Sequence, residues 1–139
     1  MAIHFINQDR NPEGLKRKMI KEWLKKVIER EMKEVGITNL IFCSDDYLIK
    51  VNKEFLKRDY LTDVISFDYT KKNKISGDIM ISIDRVQENA SENGILFLEE
   101  LKRVMVHGIL HLIGYDDNTK ENKSIMTGME DLYLEGSPE

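Results

Sequence analysis

The chain has 139 residues, 41% of them hydrophobic and 33% charged, the length and balance of one soluble globular domain with its own core. A net charge of −4 does not advertise a nucleic-acid binder, and no apolar run is long enough to span a bilayer. The one cysteine excludes an internal disulfide and suits a reducing compartment.

Residues 2–7 read as a first strand. The start Met1-Ala-Ile-His-Phe-Ile lacks the basic and apolar regions of a secretory leader. Asn11 and Pro12 have the form of an N-cap and first helical residue. Apolar residues then recur every three or four positions, from Leu15 through Trp23 and Ile28 to Val35, which predicts one helix ending at Gly36. Trp23 reads as a core anchor. Ile37 to Cys43 is a second strand, and Cys43 in Leu40-Ile-Phe-Cys43 reads as a packed core thiol. Ser44-Asp-Asp46 caps a helix that runs out near Arg58.

Residues 59–63 form a loop, 64–69 a third strand, 70–76 a polar, basic hairpin tip, and 77–83 a fourth strand. Asp84 is placed to cap a helix over 85–93, stopped by Gly94. A longer helix spans about 98–113, stopped by Gly114, and the last covers about 119–134. The tail Glu135–Glu139 is expected to fray. The sum is an α+β domain over residues 1–139, with about four strands and five helices gathered toward the C-terminal end. Three basic clusters, Lys16-Arg-Lys18, Lys57-Arg58 and Lys71-Lys-Asn-Lys74, read first as solvated surface.

The helix over 98–113 carries the chemistry. It is apolar nearly all round, so it is expected to be buried on most sides. His107 and His111 share one stripe, one turn apart, and buried imidazoles need partners. Two such imidazoles can reach a common ion about 2.0–2.1 Å from each nitrogen. Gly108 between them costs roughly 1 kcal/mol of helix propensity relative to Ala, which implies a packing or site role. Gly114 permits a reversal that returns Asp116 or Asp117 toward the histidines. The zincin helix is the nearest comparison, but its catalytic Glu after the first His is here Gly108.

The run His107-Gly-Ile-Leu-His111-Leu-Ile-Gly-Tyr-Asp-Asp117 resembles the signature of the YbeY family, His-Gly-x-Leu-His-Leu-x-Gly-Tyr-Asp-His. Thr62-Asp-Val-Ile-Ser-Phe67 and Gly77-Asp78-Ile79 resemble two further segments of that family, in order and at matching spacing. The resemblance implies a mixed four-stranded sheet with the metal site at the C-terminal end of a central buried helix. It implies a cytoplasmic, single-strand-specific endoribonuclease that matures ribosomal RNA at the small-subunit 3′ end and serves ribosome quality control. Zinc is the implied metal, on His107, His111 and the third position, Asp117. Partners implied are RNA and the ribosomal small subunit or its assembly factors, with no membrane.

Four positions depart from the pattern: Asp117 for His, Leu56 where Arg is common, Leu61 for Pro and Asp68 for Pro. A carboxylate can ligate zinc and widens the choice toward other divalent transition metals such as manganese or nickel. Arg58, two residues beyond Leu56, is the candidate phosphate contact, with the lysines of 71–74 beside it. Asp116 is a candidate catalytic carboxylate, with capping of the turn or next helix as its ordinary role. Thr62, Asp63 and Ser66 match family positions near the cleft, and their ordinary role is turn and strand-end hydrogen bonding. The resemblance and the motif also leave open a metallohydrolase of peptides or other esters, and a ribosome-assembly factor with a structural metal.

Overall fold

A computed structural model describes residues 2–139. Along the chain run β1 (Ile3–Asn7), α1 (Arg17–Arg30), β2 (Glu34–Cys43), α2 (Asp45–Leu56), β3 (Val64–Asp68), β4 (Lys74–Ser82), α3 (Ile83–Asn93), α4 (Phe97–Ile113) and α5 (Lys120–Glu135). The sheet order is β1-β2-β4-β3. β1, β2 and β4 are mutually parallel, and β3 pairs antiparallel with β4. This is the expected α+β fold with a mixed four-stranded sheet, and five helices occur among the described residues. No helix among them is long and apolar enough to cross a membrane.

Strand alternation sorts the core onto two faces. Leu40, Phe42, Ile75, Ile79 and Ile81 point to the side covered by α1 and α4, with α5 packed on α4. Cys43, Ile65 and Met80 point the other way, against Leu48 and Val51 of α2. Cys43 is fully buried, and burial pushes its thiol up to about 12, as a packed core thiol requires. The Trp23 indole is buried and donates to the Tyr133 carbonyl at 3.0 Å, so it anchors α1 to α5.

Two glycines set how closely α4 lies on the sheet. A Cβ on Gly108 would meet Ile79 Cγ2 at 2.6 Å. A Cβ on Gly77 would meet the Phe67 carbonyl oxygen at 2.3 Å and Leu112 Cδ2 at 3.0 Å. Positions 108 and 112 of the helix therefore seat on positions 79 and 77 of β4. The cost in propensity at Gly108 is offset by this contact.

Four expectations are corrected. The first helix is shorter at both ends. Asn11 does not cap it; its side-chain oxygen accepts from Arg17, and Gly14 turns the chain at φ +76° before the helix begins. At the other end Met32 adopts φ +63°, and Lys33 N–H donates back to the Ile28 carbonyl, closing the helix. Val35 and Gly36 belong to β2, where the register slips between Val35 and Thr38. A Cβ on Gly36 would lie 2.0 Å from Ser76 Oγ, so that glycine serves a bulge and not a helix stop.

The cap of α3 is Ser82, whose hydroxyl accepts from Arg85 N–H. Asp84 instead accepts from Arg10 Nε at 2.9 Å and from Arg10 Nη2 at 3.2 Å. The second helix ends at Leu56, two residues early, because Lys57 is left-handed at φ +56°. The C-terminal tail is tied down. The ammonium of Lys102, buried in α4, donates to Ser137 Oγ and the Pro138 carbonyl and pairs with Glu99. A buried lysine must find such acceptors, and the tail supplies them.

Candidate metal centre

His107 and His111 lie beside the sheet-facing stripe of α4 and border the same cleft as Val64 and Ser66 of β3; they are half-buried, with ring centroids 4.7 Å apart and planes at 81°. After Ile113 the chain reverses at Gly114, which holds φ +125°. The Gly114 and Tyr115 amides bond back to the last carbonyls of α4. The Tyr115 hydroxyl donates to Glu31 Oε1 at 2.6 Å, and Tyr133 donates to the other oxygen of the same carboxylate. The Tyr115 hydroxyl is pushed up to about 12, first by its bond to Glu31, and that of Tyr133 is pushed up first by burial and then by its bond to Glu31. The segment after α4 is thus pinned to the end of α1.

That anchorage delivers Asp117. Its Oδ2 lies 3.5 Å from His107 Nε2 and its Oδ1 lies 3.6 Å from His111 Nε2. Both separations are too long for good hydrogen bonds. Spacings of this order leave room for an ion bound to all three groups at about 2.0–2.2 Å. One ligand atom from each of the three residues lies within 4.8 Å of the others. The donor set, two neutral nitrogens and one carboxylate oxygen, fits a divalent transition metal.

The remaining nitrogen of His107 is also engaged. Nδ1 lies 2.6 Å from Glu130 Oε2, on α5. Burial pulls the His107 imidazole down, but the bond and charge of Glu130, with Asp117 and Asp63 nearby, outweigh it and leave the ring raised. Sequence reading missed Glu130. A signal was present: it falls four residues after Met126 and three before Tyr133, on the buried stripe of α5, where an acid is out of place.

The three residues open onto a cleft of about 510 Å³. Asn52, Leu56, Arg58, Tyr60, Thr62, Asp63, Ser66 and Asp68 complete much of its wall. Leu56 and Arg58 both reach it, because left-handed Lys57 lies between them. The Arg58 guanidinium is held against the Tyr60 hydroxyl at 3.2 Å. Thr62, Asp63 and Ser66 all line the cleft. Asp63 has its carboxyl pushed up by burial, against the smaller opposing pull of His107. Asp116 is exposed and outside the lining, and the cap of α5 is Thr119. The lysines of 71–74 stand on the β3–β4 hairpin, also outside the lining.

Residues 4–137 match the family model described as Endoribonuclease YbeY. The chain belongs to the YbeY family. Curated relatives match from 79% to 100% of it. An Endoribonuclease YbeY of Parabacteroides distasonis is 42% identical over 139 residues, covering 100% of this chain and 98% of the relative. That of Flavobacterium johnsoniae is 52% identical over 110 residues, 79% of each chain. Among solved structures, the solution structure of a Thermotoga maritima protein superposes with a TM-score of 0.69 at 31% identity, covering 96% of this chain and 87% of that one. The mixed sheet described above is therefore the fold of a YbeY-family chain.

Proposed function

We propose that this YbeY-family chain, acting as one domain over residues 1–139, is a metal-dependent endoribonuclease that cuts single-stranded RNA. In this reading it is cytoplasmic, it matures ribosomal RNA at the small-subunit 3′ end, it serves ribosome quality control, and its partners are the small subunit or its assembly factors. The observation that carries the reading is the convergence of His107 Nε2, His111 Nε2 and the Asp117 carboxylate on the wall of a cleft. Zinc is the proposed ion, with other divalent transition metals able to use the same donors. Bound there, it would supply a Lewis acid that polarises a phosphoryl oxygen and lowers the pKa of water.

The protein's own groups do the rest. Arg58 is the one guanidinium among the cleft residues named, and it meets the scissile or neighbouring phosphate. Asp63 Oδ takes the proton of the attacking hydroxyl, a role that suits a cleft carboxylate whose hold on a proton is strengthened by burial. Peptide cleavage is disfavoured at position 108. A zincin would carry its base there, yet even a Cβ would collide with Ile79.

The deciding experiment compares single-stranded and duplex RNA of one sequence, using protein as purified, stripped by chelator, and reloaded with zinc or manganese. Cleavage of the single strand that disappears on stripping and returns on reloading is the expected result. Persistent cleavage by stripped, still folded protein would overturn the metal-dependent reading.

Two side chains give sharper tests. Arg58→Ala is expected to cost about tenfold or more in kcat/KM, since a hydrogen bond to a charged group is worth roughly 1.5–3 kcal/mol. The loss should shrink as salt is added. Asp63→Asn is expected to lower the cleavage rate by about 10²-fold or more. It should also raise the melting temperature of metal-free protein at neutral pH. A carboxyl whose folded pKa is raised favours folding only while protonated, and that contribution is lost as pH rises through the folded value. The neutral amide escapes the loss. The gain should therefore fade below about pH 4, where parent and variant are both uncharged.

A further inference from the structure

Glu130 is buried, so its charge needs full compensation, and each carboxylate oxygen has one partner. Oε1 accepts from Arg103 Nη1 at 2.9 Å, and Oε2 lies 2.6 Å from His107 Nδ1. A pair built only to clamp α5 onto α4 would use the two-pronged fit of guanidinium to carboxylate. Here both forks are split. The second Arg103 nitrogen, Nη2, goes to Asp131 Oδ1 at 2.8 Å, and the second Glu130 oxygen goes to the imidazole. Arg103 thus fixes the carboxylate, and the carboxylate fixes the ring.

We propose that Glu130 is a positioning residue of the candidate metal centre: it keeps the proton of His107 on Nδ1, so that Nε2 faces the ion with its lone pair free. This rests on the reading that His107, His111 and Asp117 hold a metal. A neutral imidazole has two tautomers, and only one presents Nε2 as a donor. A carboxylate on the far nitrogen selects that tautomer, stops the ring from rotating and makes it a better ligand. The residue lies 23 positions beyond His107, on a different helix, so α5 contributes to the centre without touching the ion.

The test removes the clamp and varies only the hydrogen-bond acceptor. In an Arg103→Met background, Glu130→Gln keeps an amide oxygen for Nδ1–H, whereas Glu130→Met has nearly the same shape and no acceptor. Zinc affinity is read by competition with a chromophoric chelator, without RNA. The Met variant is expected to bind about 10–100-fold more weakly than the Gln variant. Equal affinities would overturn the proposal, because both variants have lost the same ion pair. A second measurement uses the unaltered protein. Nitrogen-15 spectra of metal-free protein, at a pH where the ring is neutral, are expected to show His107 protonated at Nδ1. Protonation at Nε2 would overturn the proposal even if neither double variant folds. Failure of the unaltered protein to bind zinc, manganese or nickel would instead remove the metal reading itself.

Discussion

His111→Ala is expected to abolish RNA cleavage and to weaken zinc binding by more than about a hundredfold, while leaving the fold intact. The lower bound follows from residues that merely support a ligand, whose loss already costs about 10–100-fold. Position 111 isolates the metal role better than position 107. His107 is bonded to buried Glu130, so its removal leaves a carboxylate half unpaired and confounds binding with stability. His111 is half-buried and faces Asp117 across 3.6 Å, and its side chain makes no hydrogen bond within the described residues. Chelator-competition titration and thermal melting, run on the same preparation, separate the two effects. Unfolding of His111→Ala would favour a structural metal, whereas unchanged zinc affinity would remove this side chain from the site. Asp117→His, which restores the family pattern, is expected to retain binding.

The largest expected loss of stability falls on Gly77→Ala. The added methyl would sit 2.3 Å from the Phe67 carbonyl oxygen, a backbone atom of β3 that cannot swing aside. Leu112 of α4 closes the same space at 3.0 Å. Relief requires β3 to move off β4 where Asp68 pairs with Gly77, or α4 to lift from the sheet. Overpacking of this kind costs about 3 kcal/mol or more when backbone is the obstacle. For a chain of this size that is roughly a 10 °C fall in melting temperature. Gly108→Ala should cost less. Its methyl meets a side chain, Ile79 at 2.6 Å, and alanine returns about 1 kcal/mol of helix propensity. Chemical denaturation of both variants checks the order, and a Gly77→Ala protein as stable as the parent would show that β3 can give way freely.

The residues that sequence reading located are those whose signals are local. His107 and His111 declare themselves by one-turn spacing, and Gly114 by its place at the end of an apolar run. The family likeness then pointed to Asp117 as the third ligand. The ends of the first helix were misread because an apolar string spaced three and four apart continues through Met32 to Val35. That spacing cannot distinguish a helix from a helix, a left-handed turn and a strand in succession. Gly36 likewise looks like a stop in one dimension and proves to be a bulge only beside Ser76. Glu130, Lys102 and Glu31 are the harder cases. Each is a charged residue whose partner lies well away in sequence: His107 for Glu130, the C-terminal tail for Lys102, and two tyrosines for Glu31. Polarity by itself does not tell any of the three from a surface residue.

The three candidate ligands all fall between residues 107 and 117, while the groups that aim them, Glu31 and Glu130, come from elsewhere in the chain. An unfolded chain therefore still carries a short His-x-x-x-His-x-x-x-x-x-Asp segment able to grip an ion, though without orientation. Mass action then works on both sides of the folding equilibrium. Zinc should raise the melting temperature by less than its affinity for the native protein implies, and the shortfall should grow with zinc concentration.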